Sequence, residues 1–542
     1  MHFNREKNTK TLIAAIVFLC FCFQNNSAQT KSSARQSVKI EKLLADSAAA
    51  LAAEDFVRAK TILREVLVFA PRNGTANTLA GIVADRENDL VKAEKHFALA
   101  AKTAPNAPET RNNYGAILLR LGRKKEAARE FTASLAANPK QISALVNLAQ
   151  IQISEGNLVL ARELFGKAKT IAPDSEILRA LVAISVKLNE KERAAREFAE
   201  YDAAVKSNST AANGKIRDVS FAETLLVGSM PNEAAIELKF ILADDDKNIK
   251  ALILLSKIYL GQKNIAAAGR LLESAVANGL DDAKIYLALA EVYEAGGYPE
   301  NAIPAMRLAI KKEPKNDFYR SRYGLLLVNS KAPAAAIVRV EEALKEFPGS
   351  ASLWLALGIA QFDDNKISEA QKAFEKALSI DSKLVSALAY LGAVYVEQAR
   401  YNDAVKIYEQ AVAVDGKVAL LYYLLGDTLL KMTDADDERI ENALRQAVAL
   451  DANLTAAHLT LGRLYVRQSR WSEAAASLER AAKIEPERAE TFYQLGRVYA
   501  RLKRAGESKA TLEKFKQLND SQKEQKEVSR RELVRRLANV RF

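Results

Sequence analysis

Arg463 and Arg467 stand four residues apart, and Arg497 and Arg501 repeat the pair thirty-four residues later. Residues four apart share one face of a helix. A guanidinium grips a carboxylate through two parallel hydrogen bonds. Four of them brought to one patch would hold an acidic ligand; alternatively, each pairs with a neighbouring acid such as Glu490. The rest of the reactive inventory is thin. His2, His96 and His458 are the only histidines, and Cys20 and Cys22 the only cysteines. There is no Cys/His metal spacing, no glycine-rich phosphate cradle and no Gly-x-Ser-x-Gly. Asp244, Asp245 and Asp246 fall at a turn, where acids are normally solvated. We expect no catalytic site, no metal and no cofactor.

The first 28 residues read as a targeting segment. Arg5, Lys7 and Lys10 precede an apolar run from Leu12 to Phe23 that is too short to span a bilayer comfortably. The small pair Ser27-Ala28 suits cleavage after Ala28, leaving an exported mature chain without cysteine. The alternative is an uncleaved N-terminal anchor. The formal net charge is +12, unevenly spread. Residues 455–542 hold 20 basic against 11 acidic residues, and residues 385–454 hold 6 against 11. Such asymmetry speaks of partners and long-range fields rather than of fold.

The thirty-four-residue interval runs through nearly the whole chain. Repeats begin at Ile40, Gly74, Pro108, Ile142 and Glu176, then, after an extra 210–214, at Lys215, Ile249, Ala283, Asp317, Ala351, Val385, Ala419, Thr455 and Ala489. Position 8 is glycine, alanine or serine in all fourteen, from Ser47 and Gly81 to Gly462 and Gly496. Position 20 is alanine in twelve, among them Ala59, Ala195, Ala370 and Ala474. Positions 4, 7, 8 and 11 share one helical face, and positions 20, 24 and 27 share the face of a second helix. Small residues at 8 and 20 predict a close crossing of the two helices, where larger side chains would overpack it. Pro71, Pro105, Pro139, Pro173, Pro314, Pro348 and Pro486 close second helices at position 32. Pro304 lies inside one and predicts a bend there.

This pattern resembles the tetratricopeptide repeat family. Trp354, Leu357, Gly358, Ala370, Phe374 and Ala377 match its signature, with Gln361 where that family has tyrosine. Leu388, Leu391, Gly392, Tyr395, Ala404, Tyr408 and Ala411 match its first seven positions. The expected fold is all-α: an α-solenoid of about fourteen helix-turn-helix units. The expected organisation is a linker at 29–39, an arm of five repeats at 40–209, the insert 210–214, an arm of nine at 215–522, and a basic C-terminal helix at 523–542. The resemblance implies a right-handed superhelix whose first helices line the concave side through positions 2, 5, 9, 12 and 13.

At those positions Phe318, Leu325, Leu355, Ile359, Phe362, Val396 and Tyr423 make an apolar strip. It is either a docking site or packing between successive first helices. Arg463, Arg467, Arg497 and Arg501 occupy positions 9 and 13 of the last two repeats. Some members of the family clamp an acidic C-terminus with basic residues and asparagines; Arg111, Asn112, Asn113 and Arg120 come nearest to that set, which is incomplete here. From Lys526 the tail pairs Val534, Leu537 and Val540 with five arginines. It reads as a cap on the stack or as a basic amphipathic helix against a membrane surface or an acidic partner. The expected function is a non-enzymatic binding scaffold of the cell envelope that holds a protein or peptide segment in its groove, in envelope assembly or polysaccharide export. A spacer joining envelope complexes through its ends is the alternative. Nucleic acid is not an expected partner, and the oligomeric state is open.

Overall fold

The computed structural model describes residues 31–207, 217–433 and 435–522. The leader, the 210–214 insert and the tail from Lys526 lie outside the described residues. Among the described residues there are 28 α-helices and no strand, alternating as the first and second helices of fourteen hairpins. None of these helices is long and apolar enough to cross a membrane.

Helix starts at Gly74, Pro108, Ile142 and Ile249, and at every first position from Ala283 to Ala489, coincide with the predicted repeat boundaries. Three places differ. The first helix, Lys31–Ala52, runs back through the expected linker, since neither proline nor glycine interrupts it. The fifth repeat opens at Ser175, one residue early, because Asp174 caps the helix there. Ala194 and Phe198, not Ala195, therefore fill the buried places. In the sixth, Asp218 accepts from the Phe221 amide and delays the first helix to Val219–Val227, nine residues long. The helix Pro299–Lys312 continues through Pro304, whose ring is exposed.

The chain divides into two compact units, Met1–Ala251 and Leu252–Phe542, further along than the 210–214 insert. In the first, apolar clusters follow one another among the described residues from Leu44 to Ile184. In the second, one apolar core is continuous from Leu325 to Tyr499.

The hairpin crossing is closer than the small residues alone suggested, and its partner is different. A β-carbon built on Gly358 would lie 2.5 Å from the Phe374 ring, and one on Gly392 2.4 Å from the Tyr408 ring. Gly81 meets Phe97 at 2.8 Å and Gly462 meets Leu478 at 2.6 Å in the same way. Position 8 is thus small so that the large residue at 24 can lie flat on the first helix. The alanine at 20 is buried beside this contact.

Two more devices recur. The residue at position 15 turns the chain with positive φ, as at Asn88 (59°), Gly156 (83°), Asn365 (62°) and Ala399 (58°). The side chain at position 4 donates back to the linker that precedes its helix. Asn77 reaches the Pro71 carbonyl at 2.9 Å, Arg111 the Pro105 carbonyl at 2.6 Å and Trp354 the Pro348 carbonyl at 2.9 Å. A proline closes the second helix, and its free carbonyl is satisfied by the next first helix.

His458 does the same with the Ala452 carbonyl at 3.1 Å, so its Nε2 carries the proton. Burial holds its pKa below the ordinary 6.5, against the pull of that carbonyl and of Asp451 and with the help of Arg480. His96, against Asn77 at 3.0 Å, is depressed by burial and Lys95. A folded-state pKa below the unfolded one means that stability is complete above about pH 6.5 and is lost as pH falls through that value. The urea midpoint should fall between pH 7 and pH 5, and the double substitution His96→Gln with His458→Gln should flatten the fall.

Candidate functional site

The apolar strip is not open surface. Leu325, Leu355, Ile359, Phe362 and Tyr423 are each 8% exposed or less, and Phe318 and Val396 are half-buried. The reason is stacking. In these repeats the first helix has a neighbour on both sides, and positions 5, 9 and 12 are consumed by those contacts. Phe362, for example, meets the Tyr390 ring of the next repeat edge-on at 6.0 Å. These residues belong to the core that positions a site, and a docking strip would need the exposure they lack.

The last two repeats differ. Position 9 carries arginine there in place of an apolar residue, position 13 carries arginine too, and all four side chains reach the surface. Arg463, on Thr455–Arg467, pairs with Glu490 on the following first helix. Arg467 pairs with Asp437 at the start of the preceding second helix, and Gln468 reaches the same carboxylate at 3.1 Å. Arg497 lies over the Tyr493 ring at 5.6 Å, and Arg501 over the Trp471 ring at 5.8 Å. Tyr493 is itself 40% exposed and leans on Phe515 at 5.2 Å. The result is a surface of guanidiniums and aromatic faces held in place by ion pairs and cation–π contacts. Such a surface suits carboxylates and flat side chains. The arginine pairing with Glu490 was legible from the sequence; Tyr493 was missed, although it occupies position 5 of its repeat.

The nearest approach to a carboxylate clamp is absorbed into structure. Arg111 pairs with Glu130 at 2.8 Å, Asn112 is buried, and Arg120 bonds Asp85 and Asn88.

Between repeats a second constellation recurs. The tyrosine at position 11 donates to a glutamate on the second helix before it: Tyr293 to Glu273 at 2.8 Å, Tyr465 to Glu441 at 3.0 Å and Tyr499 to Glu479 at 2.8 Å. Burial, then the bonded carboxylate, pushes the Tyr293 and Tyr499 phenols up to about 12. Arg400, Arg470 and Arg504 cover the faces of Tyr395, Tyr465 and Tyr499 at 4.3–4.4 Å. These groups staple neighbouring repeats to one another.

One buried ionic cluster had no signal in the sequence. Arg217 bonds Glu237 at 2.6 Å, and Tyr201 donates to the other oxygen of Glu237 at 3.1 Å. The Glu237 side chain is wholly buried, and Arg217 lies over Phe240 at 3.8 Å. Burial pushes the Glu237 carboxyl up, against Arg217 and Tyr201, which pull it down. The cluster joins helices on either side of residues 208–216 and places them in one compact unit. Among the described residues no group of three or more His, Cys, Asp or Glu side chains could hold a metal ion.

Family models described as TPR repeat or tetratricopeptide repeat match residues 118–185, 253–317, 327–393, 387–418, 462–503 and 489–522, together just over half the chain. No curated protein matches the sequence. Among solved structures, the APC/C hetero-tetramer Cut9–Hcn1 is similar at 15% identity, covering 90% of this chain and 99% of that one, with a TM-score of 0.39. Yeast Tom70 is similar at 16% identity, covering 80% and 99%, with a TM-score of 0.39. YrrB, described as a TPR protein with an unusual peptide-binding site, is 23% identical over 37% of this chain and 97% of its own, with a TM-score of 0.29.

Proposed function

The chain belongs to the tetratricopeptide repeat family, and on that premise we propose that it is a non-catalytic scaffold of the cell envelope that binds an acidic segment of another protein. Export rests on the basic, apolar and small-residue order of residues 1–28, with cleavage after Ala28. The binding face is formed by Arg463, Arg467, Tyr493, Arg497 and Arg501. The observation that carries this reading is exposure: position 9, buried as Leu325 and Ile359 in the middle repeats, is exposed arginine at Arg463 and Arg497, and position 5, buried at Leu355 and Tyr423, is exposed at Tyr493. Carboxylates of a partner would compete with Glu490 and Asp437 for Arg463 and Arg467, and would meet Arg497 and Arg501 directly. The surrounding positive excess would speed the encounter and make it salt-sensitive.

Affinity capture from envelope extract tests the reading. The wild type should retain a partner that is released by raised salt, and the variant with Arg463, Arg467, Arg497 and Arg501 changed to Glu should lose it with helicity unchanged. Equal recovery by both proteins would overturn it. Fractionation with N-terminal sequencing tests export; a full-length chain in the cytosol would end that part of the proposal.

A further inference from the structure

The second helices of the first three repeats are distinctive on the side turned away from their first helices. Positions 20, 24 and 27 are buried in each hairpin, so positions 18, 22, 25 and 29 face the opposite way. On Phe56–Phe69, Leu90–Thr103 and Lys124–Ala137 that far side carries Arg64, Lys95, Lys102, Lys125 and Arg129, and no acid. All five cations are exposed, and none has a carboxylate partner among the described residues. Lys60 and Lys92, on the flanks of the same helices, are both paired. Among the free cations stand Val57, Val68 and Val91, which are 79%, 72% and 73% exposed. In the second unit this side is of mixed charge, with Glu273, Glu341, Glu375, Glu409 and Glu479 at position 25.

We propose that this far side of residues 56–137 docks on an anionic lipid surface. Five unpaired cations on one face attract negative charge, and their spread over three successive helices calls for an extended anion. The valines say which kind. β-Branched residues are weak helix formers, so a fully exposed helix face gains nothing from them as far as folding goes. A polyanion held by charge alone would meet the lysines and arginines and leave the valines in water. A bilayer surface takes both. Its phosphates meet the ammonium and guanidinium groups, and the acyl boundary just beneath receives the branched side chains. Lysine and arginine stems lie along that boundary while their heads turn back to the phosphates. The contact is peripheral, and it stands independently of the arginine-bearing face of the last repeats.

A fluorescent label on the face provides the test. In the full-length chain, Cys20→Ser with Cys22→Ser removes the native thiols, and Thr61→Cys at exposed position 22 takes a nitrobenzoxadiazole group. The label reports on this face whatever residues 1–28 do. Its emission should shift to the blue on vesicles of phosphatidylglycerol and phosphatidylcholine in equal parts, and stay unchanged on phosphatidylcholine alone. The same label at Ser368→Cys, exposed on the second helix of the Ala351 repeat, should not respond to either. Titrating the Thr61→Cys shift with lipid gives the affinity. Lys95→Gln should weaken it about fivefold at low salt. Changing all five cations to Gln should abolish the shift. Val57→Ser, Val68→Ser and Val91→Ser together should weaken binding about tenfold with every charge retained. Helicity should be unchanged in each variant, since all eight side chains are exposed. No shift on the anionic vesicles, or a shift undiminished by the five Gln substitutions, would overturn the proposal. A valine variant that binds as wild type does, with polyglutamate displacing both from the vesicles, would make this the face for an acidic polypeptide and would overturn it equally.

Discussion

Arg217→Ala will destabilise the chain by about 3–5 kcal/mol in urea unfolding, among the largest effects of any single change. Arg217 is 8% exposed and bonds a wholly buried carboxylate at 2.6 Å. Removing it takes the ion pair from Glu237, leaving the Tyr201 hydroxyl and the more distant charge of Arg179, and also releases Asp202. An unpaired buried charge is the costliest kind of defect. The carboxyl responds by holding its proton more tightly than its ordinary value near 4.5, in the direction burial already pushes it. A raised folded-state pKa supports the fold at low pH and loses that support as pH climbs above the unfolded value. The variant should therefore be least affected near pH 4.5 and worst above pH 7. Replacing both partners, Arg217→Met with Glu237→Leu, should recover most of the loss, because the desolvation cost disappears together with the attraction. If the double variant is as unstable as the single, the ion pair is not the source.

Phe374→Ala will cost a similar amount, about 3–5 kcal/mol, for a different reason. The Phe374 ring is fully buried, stacked on Tyr390 at 5.3 Å, and pressed on Gly358, where no β-carbon fits. Truncation opens a cavity in the continuous core of the second unit. Gly358→Leu alone should also destabilise, by overpacking. Combined with Phe374→Ala it should recover part of the loss, since the new side chain enters the space the ring has left. The sign of that coupling in a double-mutant cycle decides the point. Simple additivity would mean that residues 8 and 24 of a repeat do not share one site.

Much of the architecture was legible because its causes are local. Gly358 and Phe374 lie in one hairpin, and a hairpin declares itself by spacing. Proline at 32 and small residues at 8 marked the boundaries to the residue over most of the chain. The register slipped where a cap overrode the count, at Asp174 and Asp218, since one carboxylate accepting from the backbone decides where a helix begins. The strip from Phe318 to Tyr423 stays open between docking and packing in the sequence for another reason. Periodicity tells which side of a helix is apolar, but not whether a neighbour already covers it. Arg467 and Asp437 meet across the lengthened repeat at Ala419, where the count of thirty-four gives no guidance. The Arg217 cluster falls beside the 210–214 insert that interrupts the count and repeats nowhere else among the described residues, so no period could announce it.

The contacts described above are short along the chain. Among the described residues, Arg179 pairs with Asp218 across 39 positions, and the polar pairs named above reach no further. Tension transmitted through the described repeats would therefore load ties between near neighbours in sequence. Each hairpin could peel away by itself and lengthen the tether by roughly 110–120 Å, the reach of thirty-four extended residues. A polymer assembled this way behaves under load as a row of separate springs, yielding one at a time and rewinding in the same increments.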